Sequence, residues 1–291
     1  MGLLKQIYRY THSRAYRHNE NLWPEVKIQR KKTGEIYSVS YKKENIKLKN
    51  INEIKKTAIN CLIVASGPSM NTTIINRNNY DVVFAVNGSY IINNRMRFTH
   101  YLVVDQDFVL KRFDIISMAL ENENLIFLTT AMCLWRIKKT AKIEIKCHLI
   151  IVEDICEKVY HAKTEVSKIN NAALIKHEKK PEIAFSTDIR EGIVDCGTVV
   201  YWAMQIAYFM EAKKITFSGL DMGGFNKPRF YETEQNTQPS KLQSNFESRI
   251  LPAFYLASKI MRDKKITTLN LSIGSSIPNE IINKSNEDTH V

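Results

Sequence analysis

The chain of 291 residues carries a formal net charge of +12, and its 44% of hydrophobic residues exclude a chain that is disordered throughout and suit one α/β core of ordinary size. No stretch approaches the roughly 18 uninterrupted apolar residues of a membrane span, and no signal-peptide core is visible, so we expect a cytoplasmic location. The five cysteines are scattered without a CxxC pair, which argues against a disulfide framework and against a zinc site.

The N-terminal segment, residues 1–56, is predicted to be a basic extension. Residues 1–60 contain 14 Lys and Arg against 5 Glu, and such an excess indicates an acidic partner unless it only keeps the segment solvated. Aromatic residues alternate with the basic ones, a mixture that suits the headgroup level of an anionic membrane: they are Tyr8, Tyr10, Tyr16 and Trp23. Nucleic acid is not expected as a partner, because the sequence has no RNP-like, zinc-finger or helix-turn-helix signature.

Short apolar runs predict the strands of the core, and most of them end at a polar residue. In chain order they are 58–65, 80–86, 100–104, 125–129, 215–220 and 266–271. Continuously apolar strands are typical of a parallel sheet that is covered on both faces. We therefore predict a Rossmann-like α/β fold, a mostly parallel sheet with helices on both faces, in a single catalytic domain over 57–280.

Helices and connecting segments complete the prediction for the C-terminal half. Apolar residues from Val199 to Met210 recur at helical spacing, and Asp195 can cap the first turn of that helix. A final helix is expected over 250–262. Length and composition assign the remaining segments: 131–190 as a possible insertion, polar 223–249 as a lid and 281–291 as a tail.

Polar residues that follow the strands or precede the helix are predicted to share one crevice. In a doubly wound sheet, ligands bind beyond the carboxyl ends of the strands, where helix N-termini offer unpaired N–H groups to anions. The members of this set are Ser66, Gly67, Pro68, Ser69, Asn87, Gly88, Asp105, Gly197, Thr198 and Asp221. The Ser66–Ser69 turn is neither a Walker A loop nor a GxGxxG loop, so an ordinary strand-to-helix turn remains an alternative.

Carboxylates are the candidates for acid–base chemistry, because no histidine lies between His177 and His290. If an acceptor hydroxyl has to lose a proton, a carboxylate must take it. Glu232 is the first candidate and Asp105 and Asp221 come after it, although a solvated Glu232 in the lid fits the sequence equally well.

Two further residue patterns have an ordinary structural explanation beside the chemical one. Asp105-Gln106-Asp107 has the form of a metal-binding DxD element, and a turn with a helix cap explains it at least as well. Cys196 precedes a helix N-terminus, a position that lowers the pKa of a thiol, but a packed thiol is favoured because no histidine is near in sequence. We predict neither a metal site nor a cysteine nucleophile.

Four short motifs in a fixed order resemble the lipopolysaccharide-core Kdo transferases, in particular those that add a third Kdo to the inner core. The motifs are FAVNGS (84–89), DCGT (195–198), SGLDMGG (218–224) and RFYE (229–232). The resemblance extends over about 60–272 and implies transfer of Kdo, an acidic keto-sugar, from CMP-Kdo to a Kdo-bearing lipid A acceptor at the cytoplasmic face of the inner membrane. No cofactor is expected, and no metal is required if CMP is the carrier, because a nucleoside monophosphate carries less charge as a leaving group. The expected outcome is inversion at the anomeric carbon.

The same motifs resemble, more distantly, the bacterial CMP-sialic-acid sialyltransferases. That similarity implies that Ser66–Ser69, Ser218 and Gly219 lie beside the donor, that Asn87 and Asp105 contact its phosphate or sugar, and that Gly197-Thr198 receives the sugar carboxylate. It also implies that Tyr231 and Arg229 steady the departing phosphate. Those enzymes use a late histidine as base, and this sequence has none at a comparable place, which favours Kdo.

Other functions stay open beside the Kdo transferase. A sialyltransferase of lipooligosaccharide would share the architecture, and a non-catalytic nucleotide or glycolipid binding protein would share the basic N-terminus. A pterin pyrophosphokinase-like activity is a weaker alternative, because the SGPS turn also occurs there and ATP with Mg²⁺ would be required. The oligomeric state is not predicted.

Overall fold

The computed structural model describes residues 3–285, so 286–291 of the predicted tail lie outside the described residues. The α-helices are α1 (Leu3–Thr11), α2 (Asn93–Met96), α3 (Gln106–Lys111), α4 (Phe113–Leu120), α5 (Ala131–Thr140), α6 (Val199–Phe209), α7 (Leu242–Asn245) and α8 (Leu251–Asp263). A π-helical segment, Phe246–Ile250, joins α7 to α8.

The strands are β1 (Val26–Arg30), β2 (Ile36–Tyr41), β3 (Glu44–Ile46), β4 (Ile59–Val64), β5 (Val82–Val86), β6 (His100–Val103), β7 (Ile126–Thr129), β8 (His148–Ile151), β9 (Leu174–His177), β10 (Lys180–Ser186), β11 (Ala212–Ser218), β12 (Thr267–Asn270) and β13 (Asn283–Lys284). Each of the six strands predicted from apolar runs is present, within a few residues of its expected bounds. The final helix and the helix from Val199 are present as well.

Eight strands form one mostly parallel sheet in the order β13-β12-β11-β4-β5-β6-β7-β8. The pairings of β4 with β5 and with β11 are parallel, as is that of β5 with β6. Every residue of β5 is buried, and so are the last four of β4, which is why these strands carry apolar side chains without alternation. The predicted Rossmann-like α/β fold is confirmed.

The described chain divides into two compact units. Unit 1 contains the described residues up to Ile54 together with Val103–Val194, and unit 2 contains Lys55–Leu102 and the described residues from Asp195 onward. In unit 1, β1, β2 and β3 form an antiparallel sheet, and β9 and β10 form an antiparallel hairpin. The segment 131–190, left open from the sequence, thus holds a helix, a strand of the large sheet and a hairpin.

The N-terminal residues are tied to the later part of unit 1 by buried contacts. Arg30 and Glu153 form a two-pronged ion pair whose Nη2-to-Oε1 distance is 2.7 Å, and the Arg30 guanidinium also donates to the Val159 carbonyl. Lys49 donates its backbone N–H to the Leu149 carbonyl at 2.8 Å. Removing the first 50 residues would therefore leave Glu153 as a buried carboxylate without its counter-ion.

Unit 2 contains the strands on which the predicted crevice depends. Its helix α6 is buried along almost its whole length, and α8 buries Phe254 against Phe217 of β11. Within residues 3–285, no helix is both long enough and apolar enough to cross a membrane.

Candidate functional site

The turns after β4, β5 and β11 lie at one edge of the sheet in unit 2. These three strands are adjacent and parallel, in the order β11-β4-β5, so their carboxyl ends point the same way. The chain first extends the sheet from β4 toward β5 and later returns to place β11 on the other side of β4. The order of strands reverses there, and such a switch point opens a crevice for a ligand.

The Ser66–Ser69 turn is held by the Asp221 carboxylate from the turn after β11. Ser69 donates its backbone N–H to Asp221 Oδ2 at 2.9 Å and its hydroxyl to Oδ1, and Ser272 Oγ lies 2.8 Å from the same hydroxyl. A Cβ on Gly67 would overlap this carboxylate and would lie 2.6 Å from the Gly219 carbonyl oxygen. Asp221, a candidate base, is thus engaged in joining the two turns.

Backbone hydrogen bonds reinforce the same junction. Gly67 donates its N–H to the Gly219 carbonyl at 2.9 Å, and Ala65 donates to the Ser218 carbonyl at 2.8 Å. The buried Ser218 hydroxyl lies 2.8 Å from Met70 Sδ. The Ser218–Gly219 pair therefore acts as a support for the turn after β4. Ser272, which was not predicted from the sequence, contacts Ser69 although it lies 203 positions further along the chain.

The Asn87-Gly88 turn after β5 contains a buried side-chain oxygen that accepts no hydrogen bond from the described residues. Asn87 has a left-handed φ of 48°, and its carbonyl accepts from the Tyr101 hydroxyl at 2.9 Å. Its side-chain Oδ1 is buried and accepts no hydrogen bond from the part of the chain that the structure describes. Ser89 fixes the turn, because its buried hydroxyl bonds the Val64 carbonyl at 2.8 Å and the Val86 N–H at 2.9 Å. Ser89 belongs to the FAVNGS motif but was not among the predicted site residues.

Tyr231 lies directly against Gly88. A Cβ at Gly88 would overlap the phenol ring of Tyr231 at Cζ and Cε1. Phe230 packs edge-on to that ring with a centroid distance of 5.4 Å, and the Phe230 N–H donates to the Ser66 carbonyl at 3.3 Å. The RFYE motif is therefore anchored to the turns after β4 and β5.

The Glu232 side chain is buried and paired, which contradicts the alternative of a solvated lid residue. Its side chain is only 3% exposed, and its Oε1 accepts from Arg229 Nη1 at 2.5 Å. The backbone N–H groups of Arg229 and Gln238 also point at the carboxylate, at 3.0 and 3.4 Å. These three donors fill three of the roughly four acceptor positions of a carboxylate, so a substrate hydroxyl gains better access to Glu232 when a donor such as Arg229 moves away.

Thr198, and not Asp195, is the N-cap of α6. The Thr198 hydroxyl accepts from the Val200 N–H at 3.4 Å, at the first turn of the helix. The predicted cap was wrong because Asp195 lies three residues too early. Its Oδ1 instead accepts from Trp202 Nε1 at 3.0 Å and from the Gly197 N–H at 3.3 Å.

Asn245 lies beside Gly197, where a Cβ would come within 3.3 Å of the Asn245 amide. No local sequence signal connects these two residues, and sequence reasoning missed Asn245. Cys196, in the same turn, is 1% exposed, so burial shields this thiol from substrate and favours the packed alternative.

Asp105 belongs to unit 1, and its local geometry is that of a helix cap. Its Oδ1 accepts from the Asp107 N–H at 2.8 Å at the start of α3. Among residues 3–285, no three His, Cys, Asp or Glu side chains converge into a metal-binding group. The remaining predicted residues after β4, β5 and β11 and at the start of α6 all belong to unit 2.

Comparison with known proteins identifies what this arrangement resembles. A family model described as 3-deoxy-D-manno-octulosonic acid transferase WaaZ matches residues 43–287. Two curated relatives bear the name "Probable 3-deoxy-manno-octulosonic acid transferase". The one from Salmonella typhimurium strain LT2 is 31% identical over 238 residues, which cover 78% of this chain and 87% of the relative. The one from Escherichia coli K12 is 26% identical over 240 residues, which cover 78% and 82%.

No solved structure matches the chain. The resemblance drawn from the four motifs is confirmed by the family match, which includes all of them.

Proposed function

This chain belongs to the 3-deoxy-D-manno-octulosonic acid transferase WaaZ family, and from that premise we propose that it moves Kdo from CMP-Kdo to a Kdo-containing inner-core acceptor. As a member it is a glycosyltransferase of lipopolysaccharide biosynthesis, which transfers a sugar from a sugar-nucleotide donor to a lipopolysaccharide acceptor and releases the nucleotide. CMP as the carrier, inversion at the anomeric carbon and catalysis without metal are parts of the proposal.

The proposal for the sugar-nucleotide site rests on Asn87 Oδ1, a buried oxygen that accepts no hydrogen bond from residues 3–285. A buried polar atom that lacks its hydrogen bond costs about 1–3 kcal/mol. A hydroxyl of the sugar or an N–H of cytosine would recover that cost by donating to Asn87 Oδ1. Tyr231 packs against Gly88 of the same turn. A CMP-sugar bound there would therefore lie beside a phenol able to contact its phosphate.

Two groups are proposed to hold the negative charges of the donor. The sugar carboxylate would bind at the first turn of α6, next to Gly197 and Thr198, because helix N-termini favour anions. The single phosphate of CMP would be met by Arg229 and Tyr231. One phosphate needs less compensation than a diphosphate, and hydrogen-bond donors supply it without a metal ion.

Arg229 is proposed to switch partners when the donor binds. The Arg229 side chain is 26% exposed while the Glu232 side chain is 3% exposed, so the phosphate would reach the arginine from solvent. Movement of Arg229 to the phosphate would release Glu232 as a base. The acceptor oxygen then attacks the anomeric carbon as the bond to the CMP oxygen breaks; CMP keeps that electron pair and Glu232 takes the acceptor proton.

The test is a turnover assay with the purified full-length chain. CMP-Kdo and a lipid A acceptor that already bears Kdo should yield CMP and a glycolipid heavier by one Kdo unit, and transfer should continue in EDTA. CMP-sialic acid in the same reaction should be left unused. Preferential use of CMP-sialic acid would indicate a sialyltransferase instead, whereas CMP binding without consumption of either sugar would indicate a binding protein.

Helix α1 is proposed to hold the enzyme at the anionic surface of the inner membrane, from the cytoplasmic side. Its exposed side chains include Leu3, Leu4, Ile7 and Tyr10, with Tyr10 94% exposed, and Arg14 and Arg17 follow exposed. An apolar helix face flanked by cations suits a lipid headgroup layer. Among the four predicted interfacial aromatics, Tyr8 is 1% exposed and stacks on His12 instead.

Vesicle sedimentation tests this docking with the folded protein. Leu3→Glu with Ile7→Glu should release the protein from phosphatidylglycerol vesicles, while Ile74→Glu, at a residue 86% exposed, should not. Unchanged binding by the double variant would refute a membrane role for α1. Deleting residues 1–50 is a poorer test, because it also breaks the pair between Arg30 and Glu153.

A further inference from the structure

Two side chains from the segment before α8, Asn245 and Arg249, lie beside the turn that precedes α6 and have no part in the chemistry proposed above. A Cβ on Gly197 would come within 3.3 Å of the Asn245 side-chain amide. Arg249 donates from Nη2 to the Asp195 carbonyl at 3.0 Å. All four residues belong to unit 2. The DCGT turn is therefore bordered by an amide and a guanidinium from a later part of the chain.

The start of α6 lies at the same edge of the sheet as the turns after β4, β5 and β11. Helix α6 leads into β11 after two residues and packs against it, so it runs opposite to that strand and begins at the carboxyl edge. Phe246, in the π-helical segment, contacts Phe225 with a centroid distance of 5.7 Å. Phe225 belongs to the segment that follows the turn after β11. Asn245 and Arg249, on either side of Phe246, are thus placed at the edge where the donor is proposed to bind.

Both side chains keep hydrogen-bond donors that no group in residues 3–285 uses. The half-buried Asn245 side chain forms no hydrogen bond within this part of the chain. Arg249 is 46% exposed, and its distance to the Asp195 carboxylate, 3.8 Å, is too long for a hydrogen bond. Since a guanidinium has five N–H donors in a planar fork and one of them meets the Asp195 carbonyl, others remain for an acceptor from outside.

The charge already present at this turn sets a condition for any anion that binds there. The Asp195 carboxylate accepts from the Gly197 N–H at 3.3 Å and from Trp202 Nε1 at 3.0 Å, so it lies at the place proposed for the sugar carboxylate. Two carboxylates at one place repel each other unless a cation lies between them. Among the described residues, the ion-pair partner of Asp195 is Arg249. Arg249 therefore supplies the positive charge that a second carboxylate needs.

We propose that Asn245 and Arg249 bind the carboxylate at the anomeric carbon of the donor sugar and so select acidic keto-sugars. This assignment rests on the proposed function, which supplies the identity of the donor. Arg249 would donate to the carboxylate through its planar fork, which matches two carboxylate oxygens. The Asn245 amide would donate from the side of Gly197. Selection of the sugar would then depend on side chains separate from those that hold CMP.

Displacement of radiolabelled CMP from the full-length chain, without acceptor, tests the assignment. The competitors are CMP, CMP-Kdo and a CMP-Kdo analogue whose carboxylate is replaced by an uncharged carboxamide. The unmodified chain should bind CMP-Kdo at least about tenfold more tightly than the carboxamide, since a hydrogen bond to a charged group contributes about this much.

Arg249→Gln should lose most of this preference while its affinity for CMP stays the same. Asn245→Asp should reverse the preference, because it places a further carboxylate beside that of the sugar. The two substitutions affect the same preference in different ways, and both positions are open enough to solvent for the variants to fold.

Matched controls make the same chemical changes elsewhere in unit 2. Arg262→Gln removes an exposed arginine from the last turn of α8, where it also donates to a backbone carbonyl, that of Glu280, at 3.0 Å. Gln243→Glu adds the same negative charge at an exposed residue two positions before Asn245. Both controls should keep the preference of the unmodified chain.

The possible results separate this assignment from the proposed function. Equal binding of CMP-Kdo and the carboxamide by the unmodified chain would overturn the assignment, even if Kdo is transferred. An equal loss in the controls or a parallel loss of CMP affinity would also overturn it, and an unchanged preference in one variant would remove that residue from the site. A chain that shows the preference but transfers no Kdo would contradict the proposed function and leave the assignment standing. Failure to bind CMP would contradict both.

Discussion

The strand-tip turns of unit 2 and helix α1 of unit 1 present their contact groups in opposite ways. At the strand tips the groups are fixed: the Asp221 carboxylate locks the Ser69 turn, and Tyr231 fits against a glycine with no room for a methyl group. On α1 the groups are exposed to solvent, with Leu3 71% and Tyr10 94% exposed.

This difference suits two separate tasks, the transfer reaction at the turns and binding at an exposed surface. Transfer of a sugar requires reacting atoms to be held within about an ångström, which rigid turns provide. Docking on an anionic membrane requires exposed apolar and basic side chains over a wider surface, and screening by salt weakens its electrostatic part gradually. Substitutions at the turns should therefore lower activity strongly whatever their charge, whereas substitutions on α1 should weaken membrane binding in proportion to the apolar surface and positive charge that they remove.

Glu232→Gln is expected to have the largest effect, a loss of about 10²–10⁴-fold in kcat, because removal of a general base costs this much. The substitution preserves shape, so the amide oxygen of the new side chain can still accept from Arg229. CMP binding, measured by titration calorimetry, should remain nearly intact.

Glu234→Gln is the matched control, since Glu234 lies two residues later and is exposed. It should transfer Kdo at the normal rate. Full turnover by Glu232→Gln would remove Glu232 from the mechanism and leave Asp221 and Asp105 as the candidates.

Gly88→Ala is expected to lower kcat/KM by roughly 100-fold, because a displacement of about 1 Å in a positioning group costs this much. The added methyl group would occupy the space of the Tyr231 ring. Tyr231 is a side chain that can turn away, so the thermal midpoint should change little.

Gly274→Ala is the control for Gly88→Ala, because it adds the same methyl group at an uncrowded position. A Cβ at Gly274 has no heavy atom within 4 Å, so both activity and thermal midpoint should match those of the unmodified chain. Normal transfer by Gly88→Ala would mean that the position of Tyr231 is irrelevant to the reaction.

Asp221→Asn should act mainly on the turn and less on chemistry. Asparagine has one acceptor where the carboxylate has two, so the Ser69 N–H or hydroxyl loses its partner, at a cost of about 1.5–3 kcal/mol in unfolding free energy. We expect a rise of about tenfold in the KM for CMP-Kdo with kcat less affected. Chemical denaturation and steady-state kinetics measure the two effects, and a collapse of kcat alone would indicate a direct catalytic role for Asp221.

The parallel sheet was predictable because its signal is local. Runs such as 59–64 and 82–86 are apolar at almost every position, and only strands buried on both faces need this. The gathering of polar residues at the ends of β4, β5 and β11 then followed from the parallel direction alone. Strand order was not needed for that inference.

The partners inside the site were not predictable, because they depend on contacts between distant segments. Nothing near Ser69 in sequence points to Asp221 or Ser272. The polar composition of 223–249 suggested solvent exposure, yet the Glu232 side chain is buried by its pairing with Arg229. The prediction that Asp195 caps α6 was wrong by three residues, because only backbone geometry shows where α6 begins.

Thr198→Ala should produce the smallest of these effects on substrate binding. Loss of an N-cap hydroxyl costs about 1 kcal/mol, and the bond from the Val200 N–H to Thr198 is long, at 3.4 Å. If the first turn of α6 receives the sugar carboxylate, its slight loosening should raise the KM for CMP-Kdo about fivefold, as that energy implies. Thr198→Ser keeps the hydroxyl and should restore the KM. An equal rise in both variants would assign the effect to the lost methyl contact of a residue that is 7% exposed, and the helix start would then have no separate part in binding the donor.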